Sequence, residues 1–318
     1  CELSNMEFIQ FHPTTLESSN ILISESARGE GGYLVDKDEK RFIDELKPRD
    51  EVSRAIYEQI SKGDKVFLDL RHLGIEKIKE LMPQERDLAL AFSNIKLEDE
   101  LLAITPAAHY TMGGIKTDIN LKTNIQNLFA CGECAQSFIH GANRLGGNSL
   151  LEIVTFGKVA GLNASKQASL IEDFELLNQE QYHKDKEEIN SIYHQKNSIN
   201  FYERKEYLGN ILFKDLGLFR TENNMNNLLE EINKLLNEIS FMGIGDKSKE
   251  FNKNLVEFIE FKNILQVSKI ATLCAIQRKE SRGSHYRSDY TNTDSSFDKC
   301  TLIVKDSDSI KISFEEIL

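Results

Sequence analysis

Apolar positions change their period partway along the chain. In the first third they come in short runs, over residues 7–11, 21–24, 33–35 and 66–70, rich in Ile, Val, Phe and Leu. Such runs bounded by polar turns predict strands. The first is predicted to stop at His12-Pro13, because proline cannot donate to a ladder. Residues 33–43 predict a hairpin around the polar turn 36–39. Asp50 is predicted to cap a helix over 51–62, with Val52, Ile56 and Ile60 on one face. Helices follow over 75–82 and 84–92, a glycine turn carrying His109 over 105–115, a strand over 127–131 and a helix over 148–167. Beyond residue 170 the spacing becomes helical, over 175–196, 200–213, 224–240 and 248–277, with Glu, Lys and Asn between the apolar positions. That pattern predicts a helical bundle with a solvated charged face. Residues 301–305 and 309–314 close the chain as two strands, predicted to form a hairpin. All four prolines fall within the first 106 residues, and no internal repeat is present. The fold class is α+β and multidomain.

Composition narrows the function classes. The net charge of -12 argues against a nucleic-acid binder, which needs a basic face. No apolar run reaches membrane-spanning length. Five scattered cysteines suggest no disulfide framework. Cys131-Gly-Glu-Cys134 lacks the second pair or close His that a zinc site requires, and its plainest reading is small buried residues at a strand end. The opening residues carry no initiator Met and no signal peptide, and they read as the middle of a domain, so a fragment of a longer chain is expected.

Candidate chemistry gathers in the stretch 140–152, His-Gly-Ala-Asn-Arg-Leu-Gly-Gly-Asn-Ser-Leu-Leu-Glu. One cation, Arg144, precedes Gly146 and Gly147, where the backbone can be approached closely. Asn148 and Ser149 are predicted helix caps, and free N–H groups at a helix start favour an anion. No Lys follows Gly147, which excludes a P-loop. His12, Arg49 and His109 also sit at element ends beside Pro or Gly. Were the four to converge, two guanidiniums and two imidazoles would suit a small dicarboxylate. Spacing alone leaves open whether they converge or are four unrelated surface residues.

Seven strings, in order, resemble the flavoprotein subunits of fumarate reductases and succinate dehydrogenases. They are residues 7–14 (Glu-Phe-Ile-Gln-Phe-His-Pro-Thr), 25–34 (Glu-Ser-Ala-Arg-Gly-Glu-Gly-Gly-Tyr-Leu), 48–50 (Pro-Arg-Asp), 109–114 (His-Tyr-Thr-Met-Gly-Gly), Gly132-Glu133, 140–152, and 278–283 (Arg-Lys-Glu-Ser-Arg-Gly). The resemblance implies a C-terminal remnant of a Rossmann-like FAD-binding domain, a capping domain and a helical domain. On it, residues 1–11 end one FAD-domain segment and 12–106 form the capping, substrate-side domain. Residues 107–168 return to the FAD domain, 169–290 are helical, and 291–318 are a tail with short strands. The dinucleotide fingerprint is absent from this chain, so its FAD site is expected to be incomplete.

Residue by residue, the resemblance implies that Arg49 transfers the proton and that Glu25 and Arg28 relay protons to it. It implies that His12, Ser24, His109 and Arg144 hold the substrate carboxylates. Ser24 stands where the family often has Thr, which keeps the hydroxyl. Glu133, Asn148, Ser149, Leu150 and Leu151 would contact the flavin. The implied reaction interconverts fumarate and succinate, by hydride transfer with FAD and proton transfer by the arginine. The implied partners are an iron–sulfur subunit and a membrane-anchor subunit of a respiratory complex, with this chain peripheral to the membrane, on the cytoplasmic or the periplasmic face. L-aspartate oxidase is the close relative within the superfamily, and the short link from Phe42 to Pro48 leans towards it. A reading of another class is a catalytically inactive fragment that binds partner subunits.

Overall fold

Two sheets and a helical bundle are laid out along the chain in the computed structural model, which describes residues 1–171, 179–306 and 309–316. The chain has the α+β multidomain fold expected. β1 (Leu3–Ser4) lies inside a five-stranded sheet, and β2 (Ile9–Leu16) at the edge of a four-stranded one. In the second sheet β2 pairs with β5 (Leu102–Thr111), β5 with β4 (Val66–Asp69), and β4 with β3 (Tyr33–Val35), all antiparallel. The short helix α1 (Ser26–Gly29) precedes β3, and α2 (Arg49–Ser61) packs on this sheet. Val52 and Ile56, one turn apart on α2, are buried with Leu16, Ile23, Leu34, Leu68 and Leu102. α3 (Gly74–Leu81) and α4 (Pro83–Ser93) add Ile78 and Ala89 to that cluster.

The first sheet runs β7 (Ala135–Gln136), β6 (Gly114–Lys116), β1, β8 (Lys299–Asp306) and β9 (Ser309–Glu316). β8 and β9 are the expected closing pair, and β8 joins them to the very start of the chain. α5 (Asn148–Ala168) follows the 140–147 loop. The bundle comprises α6 (Glu180–His194), α7 (Phe201–Asp215), α8 (Glu222–Glu238) and α9 (Lys253–Gln277). α7, α8 and α9 begin on Asn200, Thr221 and Asn252, each of whose side chains accepts a first-turn N–H. Phe201, Leu208, Leu228, Ile232, Phe258 and Phe261 fill their core. Residues 175–178 of the helix expected over 175–196 lie outside the described residues.

Several local expectations are corrected. β2 does not end at His12-Pro13 but runs through it to Leu16, because a register shift there removes the need for a donor at residue 13. Residues 33–35 pair with β4 rather than with 40–43, which return only one bridge, Val35 to Arg41. Residues 21–24 and 127–131 likewise make single bridges; Asn127 takes φ 63, which turns the chain. Residues 102–111 are strand, so His109 sits on β5 and the turn comes after it. Pro48 rather than Asp50 is the α2 N-cap, and Gly147 rather than Asn148 or Ser149 is that of α5. Cys134 is exposed and Cys131 half-buried, so neither packs as a small core residue.

Four residues of the polar stretch after α9, Arg278, Glu280, His285 and Arg287, are fully buried. Arg278 and Glu7 are both fully buried and meet at 2.7 Å, and Arg278 also reaches Glu280 at 2.9 Å. Thr301 Oγ1 donates to the second Glu7 oxygen at 2.8 Å. Arg220 donates to the Glu7 carbonyl at 2.7 Å and contacts His285 Nδ1 at 2.7 Å. Burial lowers the Arg220 pKa to about 10 and pushes His285 well below its ordinary value. This knot fastens the segment between β1 and β2 to the bundle and to β8, and so fixes where β2 enters the site.

Candidate active site

Two bulges aim the imidazoles. Gln10 stands opposite Tyr110, and Phe11 opposite Ala108, which leaves His109 as the extra residue on β5. Further along, His12 pairs with Ala107 but Thr15 with Thr105, so Pro13 and Thr14 face Pro106 alone. The His12 and His109 rings meet edge to face with centroids 5.2 Å apart. Thr14 N–H donates to His12 Nδ1 at 3.3 Å, which assigns the His12 proton to Nε2. Burial, then the charges of Arg49, His109 and Arg28, lower the His12 pKa to about 2. Burial, then Arg144 and Arg49, also lower that of His109. Both rings are therefore neutral donors at physiological pH rather than cations.

The cationic part of the site comes from three other elements. Pro48, with φ -50, ends an extended segment and makes Arg49 the first residue of α2. A cation at a helix N-terminus is disfavoured by the dipole. Glu25 compensates: its Oε2 accepts from Arg49 Nη2 at 2.5 Å and from Nε at 3.2 Å. The other Glu25 oxygen accepts from Arg28 Nη2 at 3.3 Å, and Arg28 Nη1 donates to the Glu45 carbonyl. Burial raises the Glu25 pKa, but hydrogen bonds and charge from Arg49 and Arg28 outweigh it and hold the carboxyl below its ordinary value. Burial lowers that of Arg28, partly countered by Glu25. The Glu25 side chain is 42% exposed, whereas those of Arg49 and Arg28 are 9% and 1%, so Glu25 is the member of the row that reaches water.

Arg144 comes from the loop before α5. Its guanidinium lies 4.2 Å from the centre of the Tyr110 ring, on the ring face. The Tyr110 hydroxyl donates to Glu152 at 2.8 Å, and His140 Nε2 meets the same carboxylate at 2.8 Å. Arg144 makes one long bond, Nη1 to the Leu145 carbonyl at 3.4 Å, and its buried Nε has no partner. A buried guanidinium with unspent donors is costly unless a ligand accepts from it. Burial, then the Arg49 charge, lower its pKa. Close approach is built in at Gly146, where an added Cβ would lie 2.2 Å from Glu25 Oε2 and 3.2 Å from Arg49 Nη2. The backbone freedom expected of the double glycine is thus used by the Glu25–Arg49 pair.

His12, Glu25, Arg28, Arg49, His109 and Arg144 stand close enough to touch or to act on one another's charge. Ser24 adjoins Glu25 in the chain, its hydroxyl accepting from Ser26 N–H and from Ser26 Oγ. Glu133 is exposed, and its Oε1 accepts from Thr111 N–H at 3.0 Å. Gly147, at φ 77, starts α5 without any side-chain cap among the described residues, so the N–H groups of Ser149 and Leu150 have no side-chain acceptor, and the Leu150 and Leu151 side chains are largely exposed. Gln10, Asn143, Tyr110, His140 and Glu152 belong to the site although the sequence assigned them no role. The alternation Gln10, Phe11, His12 puts Gln10 on the His12 face and was the available signal. Among the described residues no cluster of His, Cys, Asp or Glu could hold a metal ion, and no helix is long and apolar enough to cross a membrane.

Residues 1–150 match a family described as an FAD binding domain, and residues 205–317 one described as the fumarate reductase flavoprotein C-terminus. The 8-methylmenaquinol:fumarate reductase flavoprotein subunit of Wolinella succinogenes is 40% identical over 95% of this chain and 52% of its own. The succinate dehydrogenase flavoprotein subunit of Coxiella burnetii is 36% identical over 92% of this chain and 54% of its own. A solved quinol fumarate reductase of Escherichia coli superposes with a TM-score of 0.93 at 35% identity, over 99% of this chain and 59% of that one. The chain spans about half the length of the curated relatives it matches.

Proposed function

The chain belongs to the family of fumarate reductase and succinate dehydrogenase flavoprotein subunits, and from that premise we propose that its cationic site binds fumarate or succinate and moves the proton in their interconversion. The observation that carries this is the charge balance. Three guanidiniums, of Arg28, Arg49 and Arg144, gather around the Glu25 carboxylate, with Glu133 also acting on Arg144 and Glu45 on Arg28. Asp50 and Glu45 are engaged by Arg54 and Arg41, outside that group. The excess of positive charge matches a four-carbon dianion, and arginine meets carboxylates bidentately. His12 and His109, as neutral donors, would hydrogen-bond the carboxylates without adding charge.

In this reading Arg144, with its unspent donors, grips one carboxylate and polarises the double bond. Arg49 gives the proton to the carbon, and Glu25 and Arg28 relay a proton back to Arg49, with water reaching the row at Glu25. FAD fits what is present: the uncapped first turn of α5 from Asn148 and Ser149, the exposed apolar side chains of Leu150 and Leu151, and the exposed Glu133 would hold an electron-rich ring. When bound, FAD supplies the hydride for the other carbon. An iron–sulfur subunit and a membrane-anchor subunit are the partners we propose, with this chain attached to the membrane through them.

The test is fumarate reduction by the flavin-loaded protein with a reduced viologen as donor, with L-aspartate oxidation run beside it. Turnover with fumarate and none with L-aspartate is expected; the reverse would move the chain to the aspartate oxidase branch. Arg144→Ala should cost roughly 2–4 kcal/mol in transition-state stabilisation, seen in kcat/KM. An unchanged kcat/KM would remove Arg144 from the site. Gly146→Ala probes the close approach. The atom met by the new methyl group is the end of a flexible side chain, so the melting temperature should stay within a few degrees. Displacing Glu25 from Arg49 should nonetheless slow turnover by about 10- to 100-fold, and a wild-type rate in this variant would uncouple Glu25 from the chemistry.

A further inference from the structure

We propose that Asn143 is a positioning residue of this site, whose amide, donating to Asp50 and accepting from Gln10, sets the spacing between Arg49 and Arg144. The inference rests on the functional reading above. Asn143 Nδ2 donates to Asp50 Oδ1 at 2.8 Å, and its Oδ1 accepts from Gln10 Nε2 at 2.7 Å. Gln10 Nε2 also donates to the Arg144 carbonyl at 2.6 Å, while Gln10 Oε1 accepts from Arg49 Nη1 at 3.2 Å. Asp50 and Arg49 are consecutive in the first turn of α2, and Asn143 and Arg144 are consecutive in the loop before α5. Two adjacent residues on one element are thus tied to two adjacent residues on the other.

The direction of every bond in this chain is determined. A carboxylate only accepts, so Asn143 must turn its NH2 to Asp50 and its oxygen to Gln10. Gln10 must then present its own NH2 to Asn143, which leaves its oxygen for Arg49, whose guanidinium only donates. Reversing the Asn143 amide breaks two contacts, and reversing that of Gln10 breaks three. The network therefore has one orientation, and that orientation aims Arg49. It is anchored at the far end as well: the second Asp50 oxygen accepts from Arg54 at 2.8 Å, and the Arg54 guanidinium lies over the Tyr286 ring at 4.8 Å. Tyr286 in turn accepts on its carbonyl from Arg220 N–H at 3.1 Å, so the fully buried arginine knot supports the α2 end of the latch.

A loop tie that merely holds the chain together would respond only to loss of contact, whereas a latch with a fixed polarity responds to charge reversal and to its correction. Asn143→Asp sets two carboxylates face to face, at the price of no other contact. Combined with Asp50→Asn, the polarity is restored in mirror form: the new amide donates to the new carboxylate, still accepts from Arg54, and leaves Gln10 its acceptor. With the flavin-loaded protein and fumarate as substrate, Asn143→Asp alone should lower kcat by about 10- to 100-fold, with a smaller change in KM and with flavin content kept. The double exchange should return kcat to within about threefold of wild type. Turnover in Asn143→Asp equal to wild type, or a double exchange as slow as the single variant, would overturn the assignment. Asn143→Ala, which introduces no charge, should fall between the two; if it is slower than Asn143→Asp, loss of contact rather than spacing governs and the proposal fails. A wild-type protein that neither reduces nor binds fumarate would sink the functional reading itself, and the wild-type control alone tells that failure apart.

Discussion

Arg49→Ala is expected to lose at least about 10²–10⁴-fold in fumarate turnover while keeping its flavin and its fold. The size follows from the proton-transfer role proposed for Arg49. Its guanidinium is held at three points, two on Glu25 and one on Gln10, so its direction is fixed before any ligand arrives. Arginine is a reluctant acid, and a proton leaves it only if charge develops at the acceptor and a base-to-acid relay refills it at once. The row Arg28, Glu25, Arg49 has that order, with the half-exposed Glu25 in the middle. Were Arg49 only a surface partner for an acid, its removal would cost about 1 kcal/mol of stability at most and no rate. Turnover and flavin absorbance, measured on the same preparation, separate these outcomes.

The second large effect concerns stability. Glu7→Ala should destabilise the protein by about 3–5 kcal/mol, because it leaves the buried Arg278 without its Nε partner and the Thr301 hydroxyl with only a long contact to Asn5. Glu17→Ala offers the comparison. Glu17 pairs with Lys65 at 2.9 Å, but both side chains are about half exposed, and an exposed pair contributes at most about 1 kcal/mol. Urea-unfolding midpoints compare the two directly. Equal, small shifts would mean that the knot between the start of the chain and the bundle is not a stabilising contact.

How much of this was legible beforehand depended on the range of the interaction. α2, α3 and α4 and the bundle helices follow from 3.6-residue periodicity, which is local, and their bounds came within a few residues. The continuation of β2 through Pro13 was not local. It requires a bulge against Pro106, and only the paired strand reveals that residue 13 needs no donor. The same holds for His109: its side chain is re-aimed because Gln10 and Phe11 oppose residues 110 and 108. Residues 278–290 are a polar stretch of the sequence, and charged side chains are seldom fully buried. Arg278, Glu280 and Arg287 are nonetheless buried here because Glu7 and Glu280 meet Arg278, and Asp289 meets Arg287, partners that no periodicity announces. Within the site, the residues with charge or an imidazole were visible in the strings. The neutral amides of Gln10 and Asn143, which orient them, were not, because an amide carries no signature until its partners are placed.

The account stands on positioned proton delivery by Arg49 rather than on positive charge in general, and Arg49→Lys tests that most directly. Lysine keeps the charge, but its ammonium is a compact point donor that cannot span Glu25 and Gln10 as the guanidinium fork does. Fumarate turnover with reduced viologen, normalised to bound flavin, should therefore recover only a small part of what Arg49→Ala loses. If Arg49→Lys instead runs near the wild-type rate, charge alone suffices, and a different group must deliver the proton.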